Sequence, residues 1–282
     1  MDDLGEGREG MGSVHQMRGR GAVRPSPVFL VICAVTVLCG LVAWRYGEIT
    51  MTVNGLNVPR AGRIAAFGFV IAGWVLSLCL HEFGHAYLAY RAGDHSVATR
   101  GYLTLNPAKY TDPILSFAIP VLFILLGGIG LPGGAVWIDR GRIHGKWRHS
   151  LVSAAGPLSN VLLAIMLAVL YRNFAHGEHG IFWSAVAFLA FLQVTAALLN
   201  LLPVPGLDGF GIVEPYLPPR WVNQVSAYGG YMFLLVIALL WVGPINRAFF
   251  SLVTHITDAI GLNEPIIQIG HAVFQFWKTL SF

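Results

Sequence analysis

Five stretches of this chain, roughly residues 28–44, 64–90, 150–171, 181–203 and 228–244, are apolar for long enough to cross a bilayer. A hydrocarbon core takes about 20 helical residues. Within it every backbone N–H and C=O must be satisfied without water, which a helix achieves inside a single segment. No other feature restricts the fold as strongly. Composition agrees: 55% of residues are hydrophobic and 11% charged, against about 25% charged in a soluble domain. The expectation is an all-α polytopic membrane protein with about five to six transmembrane helices.

The flanks differ from the spans. Residues 1–27, "MDDLGEGREGMGSVHQMRGRGAVRPSP", are rich in glycine and charge and read as a disordered tail, with no secretory cleavage pattern. Residues 28–244 form the transmembrane unit. Residues 245–282 mix apolar and polar side chains and are expected as interfacial helices or an extra span. The net charge of +4 sits largely on arginines of the tail and loops, which suits an anionic lipid surface, and no nucleic-acid motif accompanies it. Cys33, Cys39 and Cys79 lie in apolar runs and form no CxxC, so they read as small buried hydrophobes.

A sixth stretch, 113–131, is ambiguous because Pro120, Gly127, Gly128 and Gly130 interrupt it. Charge counting bears on it. If 113–131 crosses, Lys and Arg divide 10 to 8 between the two sides. If it dips in and returns, they divide 12 to 6, with the richer side holding the N-terminus. Cytoplasmic loops are the basic ones, so the segment is expected to be re-entrant or interfacial, with the N-terminus inside.

The second span carries "LCLHEFGHAYLAY", residues 78–90. His81 and His85 are four apart, so both project from one helix face. This spacing lets two imidazoles hold one zinc ion, while Glu82 projects to the side, where it can hold a water. Ionisable groups at membrane depth are expensive and usually functional. His81 lies about ten residues from Arg91, roughly 15 Å below the inner surface. A catalytic zinc needs a third protein ligand. Asp208 is the candidate, in "NLLPVPGLDGFGIVEP", residues 200–215, where Pro203, Pro205 and Gly206 break the helix. Broken backbone at membrane depth lines cavities. The chain must cross an even number of times between His85 and Asp208 to bring them to one depth, which again makes 113–131 non-crossing. Asn160, in "AAGPLSN", residues 154–160, shares that depth. It reads equally as inter-helix glue or as a hydrogen-bond donor to a substrate carbonyl or oxyanion. Asn200 has the same two readings. Gly156 permits close helix contact.

HEFGH in an early span, GPLSN opening a middle one and "NLLPVPGLDG" ending a later one together resemble the site-2 protease family of intramembrane zinc metalloproteases. "GYLTLNPAKYTDPILSFAIP" resembles a compact bacterial subgroup without a regulatory domain. The resemblance covers about residues 64–216. It implies His81, His85 and Asp208 as ligands of one zinc ion, Glu82 as catalytic base, and Asn160 and Asn200 near the substrate. It also implies that "LPGGAVWI", residues 131–138, forms a short β element that pairs with an unwound substrate.

The function expected is hydrolysis of peptide bonds in or near the transmembrane helices of other membrane proteins. Zinc would activate water and Glu82 would act as general base, with the site facing the cytoplasm from the cell membrane. The substrate and the lipid bilayer are the expected partners, with no nucleic acid. The main rival is a metal transporter, which would need further ligands in series. A di-iron oxygenase would need converging histidine clusters, and "HGEH" at 176–179 lies on the outer side. A catalytically dead homologue conflicts with the intact motif.

Overall fold

The computed structural model describes residues 23–52, 55–110, 121, 122, 124 and 136–278. Four helices are long and apolar enough to cross a membrane: α1 (Pro27–Arg45), α2 (Arg60–Ala92), α3 (Lys146–Phe174) and α4 (Gly180–Asn200). Local chemistry sets their ends. Ser26 caps α1 by accepting the Phe29 N–H, with Pro27 opening the first turn. The 33 residues of α2 span about 50 Å, well beyond a hydrocarbon core of about 30 Å. The histidine pair stands in the C-terminal half of this helix.

A two-stranded antiparallel hairpin, β1 (Thr50–Thr52) and β2 (Gly55–Asn57), joins α1 to α2, with Thr50 opposite Asn57. After α4 the chain forms α5 (Asp208–Val213), then α6 (Pro219–Ser226) and α7 (Gly229–Leu239). The last two are bent by 66° and together make one further candidate span, so five is the upper number among the described residues.

The apolar stretch 228–244 is divided between two helices. The first, α7, stops at Leu239 and a new one, α8 (Gly243–Ala259), starts with Pro244 in its first turn. A proline there lacks the N–H that would continue α7, yet fits the start of the next helix. Of the stretch 113–131, only 121, 122 and 124 are among the described residues, and they are helical. Its expected re-entry therefore lies outside the described residues. So does 131–135 of the expected β element, while 136–139 run without helix or strand.

The bundle is built around α4. Its apolar window is 83% buried, against 11% for α1. Helices α2, α3, α8 and α9 (Glu264–Phe274) all pack on α4, and α9 also touches α2. Trp74, Phe188 and Leu192 are fully enclosed where they meet. The C-terminal residues thus fold onto the bundle. Arg63, at the start of α2, fastens them by donating to the carbonyls of Gln275 at 2.6 Å and Lys278 at 2.7 Å. Helix α1 touches mainly α2 and leaves Leu30, Val31, Leu38 and Leu41 exposed, as a lipid-facing helix should.

Candidate metal centre

His81 and His85 stand one turn apart on α2, with their Nε2 atoms 3.1 Å from each other. Asp208, the first residue of α5, closes the triangle. Its Oδ2 lies 3.2 Å from His81 Nε2 and its Oδ1 3.3 Å from His85 Nε2. The chain reaches this point because α4 ends at Asn200 and the Pro203–Gly206 turn folds the backbone back. Gly209 makes that fold tight enough: a Cβ there would sit 2.2 Å from the Leu201 carbonyl oxygen. Ser150 of α3 then donates to the Ile212 carbonyl at 2.6 Å and seats α5 over the histidines.

The hydrogen bonds behind the imidazoles determine what they present in front. His85 Nδ1 lies 2.7 Å from the Val152 carbonyl oxygen, which can only accept, so Nδ1 carries the hydrogen and a neutral ring has a bare Nε2. His81 Nδ1 donates in the same way to Asn160 Oδ1 at 2.6 Å. Two bare nitrogens and a carboxylate thus converge with lone pairs facing one another, an arrangement that demands a cation. Backing of each ring by a hydrogen-bond acceptor is the usual mark of metal-ligating histidine.

The space also fits. Zinc bonds of about 2.0–2.2 Å in tetrahedral geometry place ligand atoms about 3.3 Å apart; the two Nε2 atoms are 3.1 Å apart, and each has a different oxygen of the Asp208 carboxylate at 3.2 or 3.3 Å. Gly156 of α3 leaves the cradle open. An added Cβ would lie 2.2 Å from His85 Nε2 and 2.4 Å from His81 Nε2, close to bonding distance from both. Close helix contact was the expectation for Gly156; the structure adds that its missing side chain is the room an ion needs.

Glu82 is 2% exposed and accepts the Val136 N–H at 3.0 Å, so the segment following 131–135 lies directly against the carboxylate. Asn160 hydrogen-bonds to side chains on both neighbouring helices. Its oxygen takes the His81 hydrogen and its nitrogen donates to Gln193 Oε1 at 2.8 Å. Helix α3 turns this side chain towards α2 and α4, behind the His81 ring. Asn200 is buried at the end of α4, and its side chain has no hydrogen-bond partner among the described residues.

Sequence reasoning passed over Gln193 and Ser77. The available signal was a glutamine inside an otherwise apolar span, an unfavourable placement unless it has partners. Asp94, in the loop after α2, is fully buried. It accepts from Ser96 and from the Asp139 N–H at 2.8 Å, fastening the segment after Val136 to the end of α2.

Among the described residues, His81, His85 and Asp208 form the one group of three potential ligand side chains close enough to share an ion. No series of sites accompanies it there, as transport would require. His176, Glu178 and His179 follow the C-terminal end of α3, away from the triangle.

No family model and no solved structure matches the chain. Curated relatives do. It is 48% identical over 259 residues to "Putative zinc metalloprotease Rip2" of Mycolicibacterium smegmatis and 43% identical to the protein of that name from Mycobacterium tuberculosis. Both alignments cover 92% of this chain and 96% of the relative. It is 33% identical over 182 residues to "Putative zinc metalloprotease YwhC" of Bacillus subtilis, covering 60% of this chain and 79% of that one. With such identity across nearly its whole length, and with a histidine–histidine–aspartate triangle sized for one metal ion, the chain belongs to this site-2-protease-like family of multi-pass zinc metalloproteases.

Proposed function

We propose that the protein is an intramembrane endopeptidase that cleaves other membrane proteins in or near their transmembrane helices, with Glu82 as general base. The observation that carries this reading is the convergence of two Nε2 atoms and one carboxylate beside a second, buried carboxylate, with both histidines and Glu82 on a helix apolar and long enough to cross a membrane. His81, His85 and Asp208 would hold the ion. A zinc ion there supplies Lewis acidity and makes hydroxide available near pH 7. Glu82 takes the proton from the attacking water on its carboxylate and returns it to the leaving nitrogen as the peptide bond breaks. Asn160 keeps His81 in place, and Asn200 is the amide left to meet the substrate carbonyl.

The substrate must be unwound, because helical hydrogen bonds shield its carbonyls. Added-strand pairing along 131–138 would hold it open, and the Val136 contact with Glu82 puts the end of that segment beside the base. The basic loops argue for a cell-membrane protein with its N-terminus and site facing the cytoplasm, from which water enters.

Substitution Glu82→Gln tests the reading. Cleavage should fall by about 100- to 10,000-fold while zinc content stays at that of the wild type, and membrane peptides in cells carrying the variant should include an accumulating substrate. Retained cleavage would remove Glu82 from its role. Metal flux into vesicles without proteolysis would replace the protease reading with transport.

A further inference from the structure

Behind His81 the polar side chains continue as a chain of hydrogen bonds through three helices. His81 Nδ1 donates to Asn160 Oδ1 on α3 at 2.6 Å. Asn160 Nδ2 donates to Gln193 Oε1 on α4 at 2.8 Å. Gln193 Nε2 donates to Ser77 Oγ on α2 at 3.1 Å, and Ser77 Oγ donates to the Trp74 carbonyl at 2.7 Å. Ser77, Asn160 and Gln193 are each 2% exposed or less. A glutamine and a serine so placed have no water to bond, and their polarity is costly unless they partner each other.

Every donor in this chain points away from His81, and the last acceptor is a backbone carbonyl. That terminus matters because a carbonyl cannot donate, whereas each amide on the way could be turned round. Were Asn160 reversed, its NH2 would face His81 Nδ1, the ring hydrogen would move to Nε2, and the metal-facing nitrogen would be blocked. Gln193 prevents this by offering Asn160 an oxygen, and Ser77 keeps Gln193 oriented by accepting from its nitrogen.

We infer that Gln193 and Ser77 are positioning residues that set the tautomer of His81, and with it zinc affinity, from outside the metal site. The inference rests on the zinc-hydrolase reading, because it concerns which nitrogen His81 presents to the ion. It also accounts for a buried glutamine that the hydrolytic step leaves unused.

The test compares wild type, Gln193→Met, Gln193→Glu and Ser77→Ala in detergent. Two quantities are measured: the His81 tautomer by nitrogen-15 NMR of metal-free, histidine-labelled protein, and zinc affinity by chelator competition. Gln193→Met keeps the volume but offers Asn160 no acceptor. It should mix the two His81 tautomers and weaken zinc about 10- to 100-fold, the usual effect of losing a partner behind a metal ligand. The substitution Gln193→Glu supplies a carboxyl that, when neutral, reproduces both bonds. It should restore the Nδ1–H tautomer and bring affinity to within a few-fold of wild type. Ser77→Ala should give an intermediate loss, and it carries the test if Gln193→Met does not fold. A pure Nδ1–H tautomer with wild-type zinc affinity in Gln193→Met, or in Ser77→Ala where that variant stands in, overturns the inference. A wild type that binds no zinc overturns the functional reading beneath it.

Discussion

Replacing Gly156 by alanine asks whether the space between α2 and α3 is the metal's own. The new Cβ would lie 2.2 Å from His85 Nε2 and 2.4 Å from His81 Nε2. Nonbonded heavy atoms settle at about 3.5 Å, so both nitrogens must retreat by about 1.1–1.3 Å. Metal sites tolerate ligand displacements of only about 0.2 Å. Structural zinc binding is worth about 10–16 kcal/mol over four ligands, or roughly 2.5–4 kcal/mol per ligand. Loss of even one imidazole therefore weakens zinc by about 100- to 1,000-fold. The metal-free fold should be much less affected. Alanine gains about 1 kcal/mol in helix propensity over glycine, against about 1–3 kcal/mol for overpacking, so its Tm should move by only a few degrees. Chelator competition for zinc, alongside thermal unfolding of the metal-free protein, separates the two effects. Wild-type zinc affinity in Gly156→Ala would refute the placement of the ion between these helices.

Two further outcomes concern the C-terminal helices. Arg63→Met removes both donors to the Gln275 and Lys278 carbonyls, which should release the end of α9 and speed proteolysis near residue 275 several-fold, without loss of zinc; an unchanged cleavage pattern would show that the anchor lies elsewhere. Burial, with a smaller effect of Lys278, holds the His271 imidazole below its ordinary value of 6.5, so the fold favours the neutral ring that stacks on Phe188. The unfolded chain then takes up its proton first as pH falls. The stability owed to His271 is complete above about pH 6.5 and is lost below it, down through the folded-state value. Thermal unfolding from about pH 8 to about pH 5 should show this loss, and His271→Gln should flatten it; equal slopes in both proteins would remove His271 as the cause.

Much of the candidate site was legible because its signals are local. A four-residue spacing on a helix places His81 and His85 together whatever the rest of the chain does. Asp208 was legible for a different reason: Pro203, Pro205 and Gly206 announce a break, and a carboxylate beyond a break at membrane depth has few uses. The interruption of 228–244 was less visible, because hydropathy averages over Pro244 while a helix does not.

Hydropathy and spacing by themselves determined that the chain crosses a membrane several times and carries a metal-binding pair at depth, because burial energies and helical geometry act residue by residue. The direction in which Asn160 faces, the enlistment of Gln193 and Ser77, the contact of Val136 with Glu82 and the room left by Gly156 were decided only by the tertiary structure. All but the Val136 contact, which a loop makes, depend on how α2, α3 and α4 are rotated about their own axes and how closely they approach. That is a collective property of the packed bundle, which no single helix encodes.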